Sequence, residues 1–64
     1  MRNNLRIILA DKKIKKGDFA SLVGISPGTL SFIVSERSTP TLEVAMKIAK
    51  ALDLKVEDIW NLDE

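Results

Sequence analysis

The side chains that could do chemistry here are cations, carboxylates and hydroxyls, because the 64-residue chain holds no histidine and no cysteine. The first absence removes the usual general base and the commonest transition-metal ligand. The second removes disulfides, thiolate chemistry and most structural zinc sites. Neighbouring carboxylates, Glu57-Asp58 and Asp63-Glu64, fall near the acidic end of the chain and read as a solubilising rim. No catalytic residue, metal ligand, cofactor or small-molecule substrate is expected. The cations carry more pattern. Residues 1–16 hold Arg2, Arg6, Lys12, Lys13, Lys15 and Lys16 against Asp11 alone, whereas residues 41–64 hold three lysines against six carboxylates. The formal net charge of +1 therefore hides a basic front and an acidic back. That gradient suits a polyanion docking on one side, and it equally suits a solvated charged face.

The elements that must position these groups are helices. A chain of this length makes one domain, 1–64, and buries only roughly 60% of the surface its unfolded chain exposes. With 45% hydrophobic and 30% charged residues it falls in the ordinary globular class. Its longest apolar run, Ile7-Ile8-Leu9-Ala10, is far below the roughly 20 residues of a membrane span, so a soluble, cytoplasmic protein is expected. Leu5, Ile8 and Leu9 recur at helical spacing, and Asn3 or Asn4 can cap the start, predicting a first helix over about 4–13. Phe19, Ala20 and Val23 predict a second over about 16–23, stopped by Gly24. Ser26 followed by Pro27 opens a third, which ends near Ser35. Thr41 caps a fourth with the stripe Leu42, Ala45, Ile48, Ala49 and Leu52, and Val56, Ile59 and Trp60 form a last short helix. No alternating strand pattern is seen. The expectation is an all-α domain of about five helices.

Residues 16–35 carry the most specific signal. Two short helices joined by Gly24-Ile25-Ser26 have the form of a helix-turn-helix. Ala20 sits where the helices cross closely, and Gly24 sits four residues later, where the chain must reverse at positive φ. Phe19, Val23, Ile25, Leu30 and Ile33 then fall on the inward face. Because a small chain spends its apolar residues on one core, an exposed aromatic would mark an interface. Trp60, beside Leu62, can either plug the core or join a dimer seam.

At these residues the chain resembles the lambda-repressor-like, Cro-type helix-turn-helix family (the xenobiotic-response-element group of bacterial and phage regulators). The likeness spans roughly residues 4–60. It rests on Ala20, Gly24-Ile25-Ser26, Thr29-Leu30-Ser31, Ile33, Pro40-Thr41-Leu42, Ala45, Lys47-Ile48-Ala49, Ala51-Leu52 and Glu57-Asp58-Ile59-Trp60. It implies a five-helix bundle that binds double-stranded operator DNA, usually as a homodimer. The third helix would enter the major groove and the second would lie across the backbone.

Departures from the family pattern sharpen this expectation. Where the family opens its second helix with Ser or Thr and then Gln, this chain has Lys15 and Lys16, which suit phosphate but read bases poorly. Asp18 partly offsets their opposition to the helix dipole. Where the family often pairs an Arg in the first helix with a Glu at the end of the third, this chain has Leu9 and Val34, predicting that the two apolar side chains meet. The DNA-facing positions of the third helix map to Ser26, Pro27, Gly28, Thr29, Ser31, Phe32 and Ser35. None of these is an Arg, Lys, Asn or Gln able to make a bidentate base contact. Hydroxyls and apolar groups remain, and Phe32 can meet thymine or sugar or bury against a protein partner. Arg37 and Ser38, with Thr39, follow where the family loop touches the backbone, although Arg37 also fits a solvated loop charge. Lys12 and Lys13 read as solvating charges. The resemblance thus implies a transcription regulator, expected to be a repressor, whose binding is led by phosphate contacts from Lys16 and Arg37. The alternative is a protein-interaction module that kept the fold and lost its operator code.

Overall fold

Four of the five helices of the computed structural model, which describes residues 2–61, begin at a side-chain cap. The elements run β1 (Arg2–Asn3), α1 (Leu5–Asp11), α2 (Lys16–Val23), α3 (Pro27–Val34), α4 (Leu42–Leu52), α5 (Val56–Ile59) and β2 (Trp60–Asn61). The Ser26 hydroxyl accepts the Thr29 N–H at 3.1 Å, with Pro27 following where no N–H is needed. The Thr41 hydroxyl accepts the Val44 N–H at 3.3 Å to open α4. At α5 the Asp58 carboxylate reaches back to the Lys55 N–H at 3.0 Å. One member of the Glu57-Asp58 pair is therefore occupied in capping a helix. At α1 the cap comes from Asn3, whose Oδ1 accepts the Leu5 N–H at 3.0 Å, while Asn4 occupies the cap position and its side chain makes no bond to the helix.

The ends of α1 to α4 share one closure. A residue with positive φ follows the helix (Lys13 at 57°, Gly24 at 86°, Glu36 at 67°, Asp53 at 57°). The N–H of the next residue then bonds five residues back: Ile14 to Leu9, Ile25 to Ala20, Arg37 to Phe32 and Leu54 to Ala49, each at 2.9–3.0 Å. This satisfies carbonyls that the helix leaves open. The closure at Lys13 explains why α1 ends at Asp11 rather than near residue 13 as its apolar pattern suggests.

Packing assembles these pieces around Leu5, Leu9, Phe19, Leu30, Ile48 and Ile59, with Ala20, Val23, Ile33, Val34, Ala45, Ala49, Leu52 and Trp60 completing the buried set. No polar or charged residue is buried among those described. Leu9 and Val34 are both buried and line one hollow. Two features depart from the expected helices. Arg2–Asn3 pairs antiparallel with Trp60–Asn61, and the Asn4 N–H extends the pairing to the Ile59 carbonyl at 2.9 Å. Strands of two residues leave no alternation to detect, which is why the sequence shows none. Trp60 consequently leaves the last helix, in extended conformation (φ −107°, ψ 138°), and turns its ring into the core, where it is 7% exposed. Its place is the core and not a seam. Leu62, Asp63 and Glu64 lie outside the described residues.

Candidate nucleic-acid interface

The face that can meet DNA is built from the α2–α3 pair. Gly24 reverses the chain at φ 86°, and α3 departs from the line of α2 by 109°. That lies within the 90–120° of a helix-turn-helix. Ala20, fully buried at 0% exposure, has a single methyl in the α2–α3 core, as its position between two crossing helices requires. Leu30, Ile33 and Val34 hold α3 inward, while Gly28, Ser31, Phe32 and Ser35, at spacings of three and four, form its outward face. Phe32 is 52% exposed. Ser26 and Pro27 cap the same helix and are also exposed, whereas Thr29 lies a quarter-turn off that face.

Hydrogen bonding narrows what this face can read. The Ser26 hydroxyl donates to the Thr29 hydroxyl at 2.8 Å, and the Ser35 hydroxyl donates to the Phe32 carbonyl at 3.2 Å. Those two protons are committed within the chain. Ser31 and the Thr29 proton are left to donate to a base, and no side chain on α3 can make a bidentate contact. An ideal Cβ on Gly28 would meet only the Ser26 hydroxyl oxygen, at 4.0 Å, so packing within the chain does not demand a glycine there. Its consequence is a flat spot where another molecule's backbone can come close.

Cations stand at the start of α2 and in the loop after α3. Lys15 occupies the cap position of α2 in extended conformation, Lys16 begins the helix, and no side chain caps it. Asp18 lies in the first turn as the partial offset to their charge. After α3 the loop folds back so that Arg37 and Ser38 both donate their N–H groups to the Phe32 carbonyl, at 3.0 and 3.3 Å. Lys16 and Arg37 are exposed, and neither has an ion-pair partner among the described residues. The structure adds Arg6, which the sequence pattern left unassigned. From α1 it lines one hollow with Lys16, Leu9, Ala10, Ile14 and Val34, and an adjoining one with Ser35 and Glu36. Nothing in the local pattern of α1 signals this, because the neighbours come from α2 and the end of α3.

The matching profile among known families is that of the Cro/C1-type HTH DNA-binding domain, over residues 4–64. The chain belongs to that family. It is similar to the uncharacterized HTH-type transcriptional regulator MJ0272 of Methanocaldococcus jannaschii, with 35% identity over 64 residues covering all of this chain and 97% of the relative. An uncharacterized HTH-type regulator of Archaeoglobus fulgidus is 31% identical, with 100% and 90% covered, and YgzD of Bacillus subtilis is 30% identical, with 100% and 97% covered. A crystal structure from Bacteroides fragilis, of a protein whose name proposes DNA binding, superposes with a TM-score of 0.81 at 28% identity, over 91% of this chain and 94% of that one. The relatives span archaea and bacteria, a wider range than the bacterial and phage regulators the motifs resemble. Membership in the Cro/C1-type family makes this chain a helix-turn-helix regulator of the DNA-binding kind and not an enzyme. Among the described residues no helix is long and apolar enough to cross a membrane, and no group of carboxylates is placed to hold a metal ion.

Proposed function

We propose that this protein is a homodimeric transcriptional repressor, working in the cytoplasm, that docks α3 in the major groove of double-stranded DNA. The observation that carries this reading is the exposed outer face of α3, Gly28, Ser31, Phe32 and Ser35, together with the exposed cations Lys16 and Arg37, which have no ion-pair partner among the described residues. Lys15, Lys16, Arg37 and Ser38 grip phosphates, and Arg6 beside Lys16 strengthens the same edge. Thr29, Ser31 and Phe32 offer hydroxyl and apolar contacts, with Ser26, Pro27 and Ser35 lining the groove. Direct base readout is therefore weak, and operator choice rests on DNA shape and on the spacing of two half-sites, about 34 Å apart. Selection from a random duplex pool followed by sequencing tests this: a loose, shape-like preference in paired half-sites is expected. A sharp consensus read base by base would contradict the account of α3.

A second reading is favoured by Phe32, an aromatic ring half exposed on the same face. On that reading the domain binds a protein. Failure of the wild type to shift random or genomic DNA at low salt would select it.

A further inference from the structure

Of the four helix ends that close through a positive-φ residue, three are anchored by packing. Ile14, Ile25 and Leu54, the residues next after Lys13, Gly24 and Asp53, are half-buried against the core. The fourth end, after α3, has Arg37 at that place, and Arg37 is exposed. An apolar contact at this position ordinarily accompanies the closure, so something else must hold the α3 end. We propose that Asn3 and Glu36 form a clasp that does so, making both of them positioning residues for Arg37. This rests on the DNA-docking reading above.

The geometry supports the clasp at several points. Glu36 has φ 67°, a backbone conformation that a side chain with a Cβ disfavours and that persists where the surroundings over-determine it. The Asn3 backbone N–H donates to the Glu36 Oε2 at 2.8 Å. The Asn3 Nδ2 donates to the Ile33 carbonyl at 2.8 Å, the same carbonyl that accepts the Glu36 N–H at 3.1 Å. One residue thus grips the turn by its side chain and by its backbone. Asn3 is itself fixed, since its Oδ1 accepts the Leu5 N–H and its strand pairs with the buried Trp60. The positioning chain runs from the core through Trp60 to Asn3, then Glu36, then Arg37. It also accounts for a carboxylate next to a face that would meet a polyanion, where charge alone argues against one.

The two explanations of Glu36 predict opposite signs. Glu36→Gly removes a negative charge and relieves the positive φ, so an incidental Glu36 predicts equal or tighter DNA binding. The clasp predicts that the folded variant binds a random 20-base-pair duplex about tenfold more weakly per chain bound, the loss of roughly one charge-assisted contact in each. Its salt slope should fall by about one per chain as Arg37 loses its phosphate. Glu36→Gln keeps an acceptor for the Asn3 N–H and should bind at least as tightly as wild type. Asn3→Ala keeps the backbone donor, loses both side-chain bonds (to the Ile33 carbonyl and from the Leu5 N–H), and should fall between these two. Thermal unfolding run alongside ensures that only folded protein is compared. Equal or tighter binding by Glu36→Gly, or an equal loss in Glu36→Gln, overturns the clasp while leaving DNA docking intact. Absence of binding by wild type at low salt overturns the docking reading itself.

Discussion

Replacing Lys16 and Arg37 by glutamine, singly and together, tests phosphate-led binding with a magnitude fixed in advance. Both side chains are exposed and neither has an ion-pair partner among the described residues, so the fold should be unaffected to within about 0.5 kcal/mol. Each phosphate contact contributes about −0.9 to the slope of log affinity against log salt. In a homodimer each position occurs twice, so each single variant should flatten the slope by about 1.8 and the double variant by about 3.6. A monomer on DNA would give half of each. Between about 50 and 200 mM salt, these four contacts alone account for a loss in wild-type affinity of about 150-fold, which the double variant should not show. Fluorescence anisotropy with a labelled random duplex at four or five salt concentrations measures all of this. An affinity that drops while the slope stays unchanged would refute the reasoning, because it would make these residues base readers or supports of the fold.

Gly24→Ala isolates backbone strain, since an added Cβ has nothing within 4 Å and the cost comes from φ 86° alone. A loss of about 1 kcal/mol is expected, seen as a melting temperature lower by about 4–8 °C. Lys13→Gly, at φ 57°, should act in the opposite direction and raise the melting temperature by a few degrees in the same circular-dichroism experiment. Trp60→Ala should cost about 3–5 kcal/mol against a total stability of roughly 3–10 kcal/mol for a chain of this size, leaving much of the helical signal lost at 37 °C. Phe32→Ala should leave unfolding unchanged and weaken DNA binding; unchanged DNA affinity would assign the ring to a protein partner instead.

Much of the helix-turn-helix is legible in the residues because its signals are local. Ser26-Pro27 starts α3, Gly24 ends α2, Thr41 caps α4, and the stripe from Leu42 to Leu52 turns Ala45, Ile48, Ala49 and Leu52 inward. Boundaries are less legible. Lys13, Glu36 and Asp53 take the same left-handed conformation as Gly24, yet only the glycine announces it, because for the other three the closure outweighs their own preference. Of the candidate site, the exposed face of α3 and the cations at the start of α2 and after α3 follow from periodicity and charge. The commitment of the Ser26 and Ser35 protons depends on geometry that residue types do not specify.

What the sequence determined by itself is therefore the set of helices, the sharp turn between α2 and α3, and the poverty of α3 in side chains that read bases. Each depends on residues within a few positions of one another, where propensity, capping and spacing act directly. Only the tertiary structure decided that Asn3 reaches Glu36 across 33 residues, that Arg6 stands beside Lys16, and that Trp60 leaves its helix to close the core against the chain's other end. Those partners meet because the packed helices bring distant segments together, and no local preference encodes a neighbour that only packing supplies.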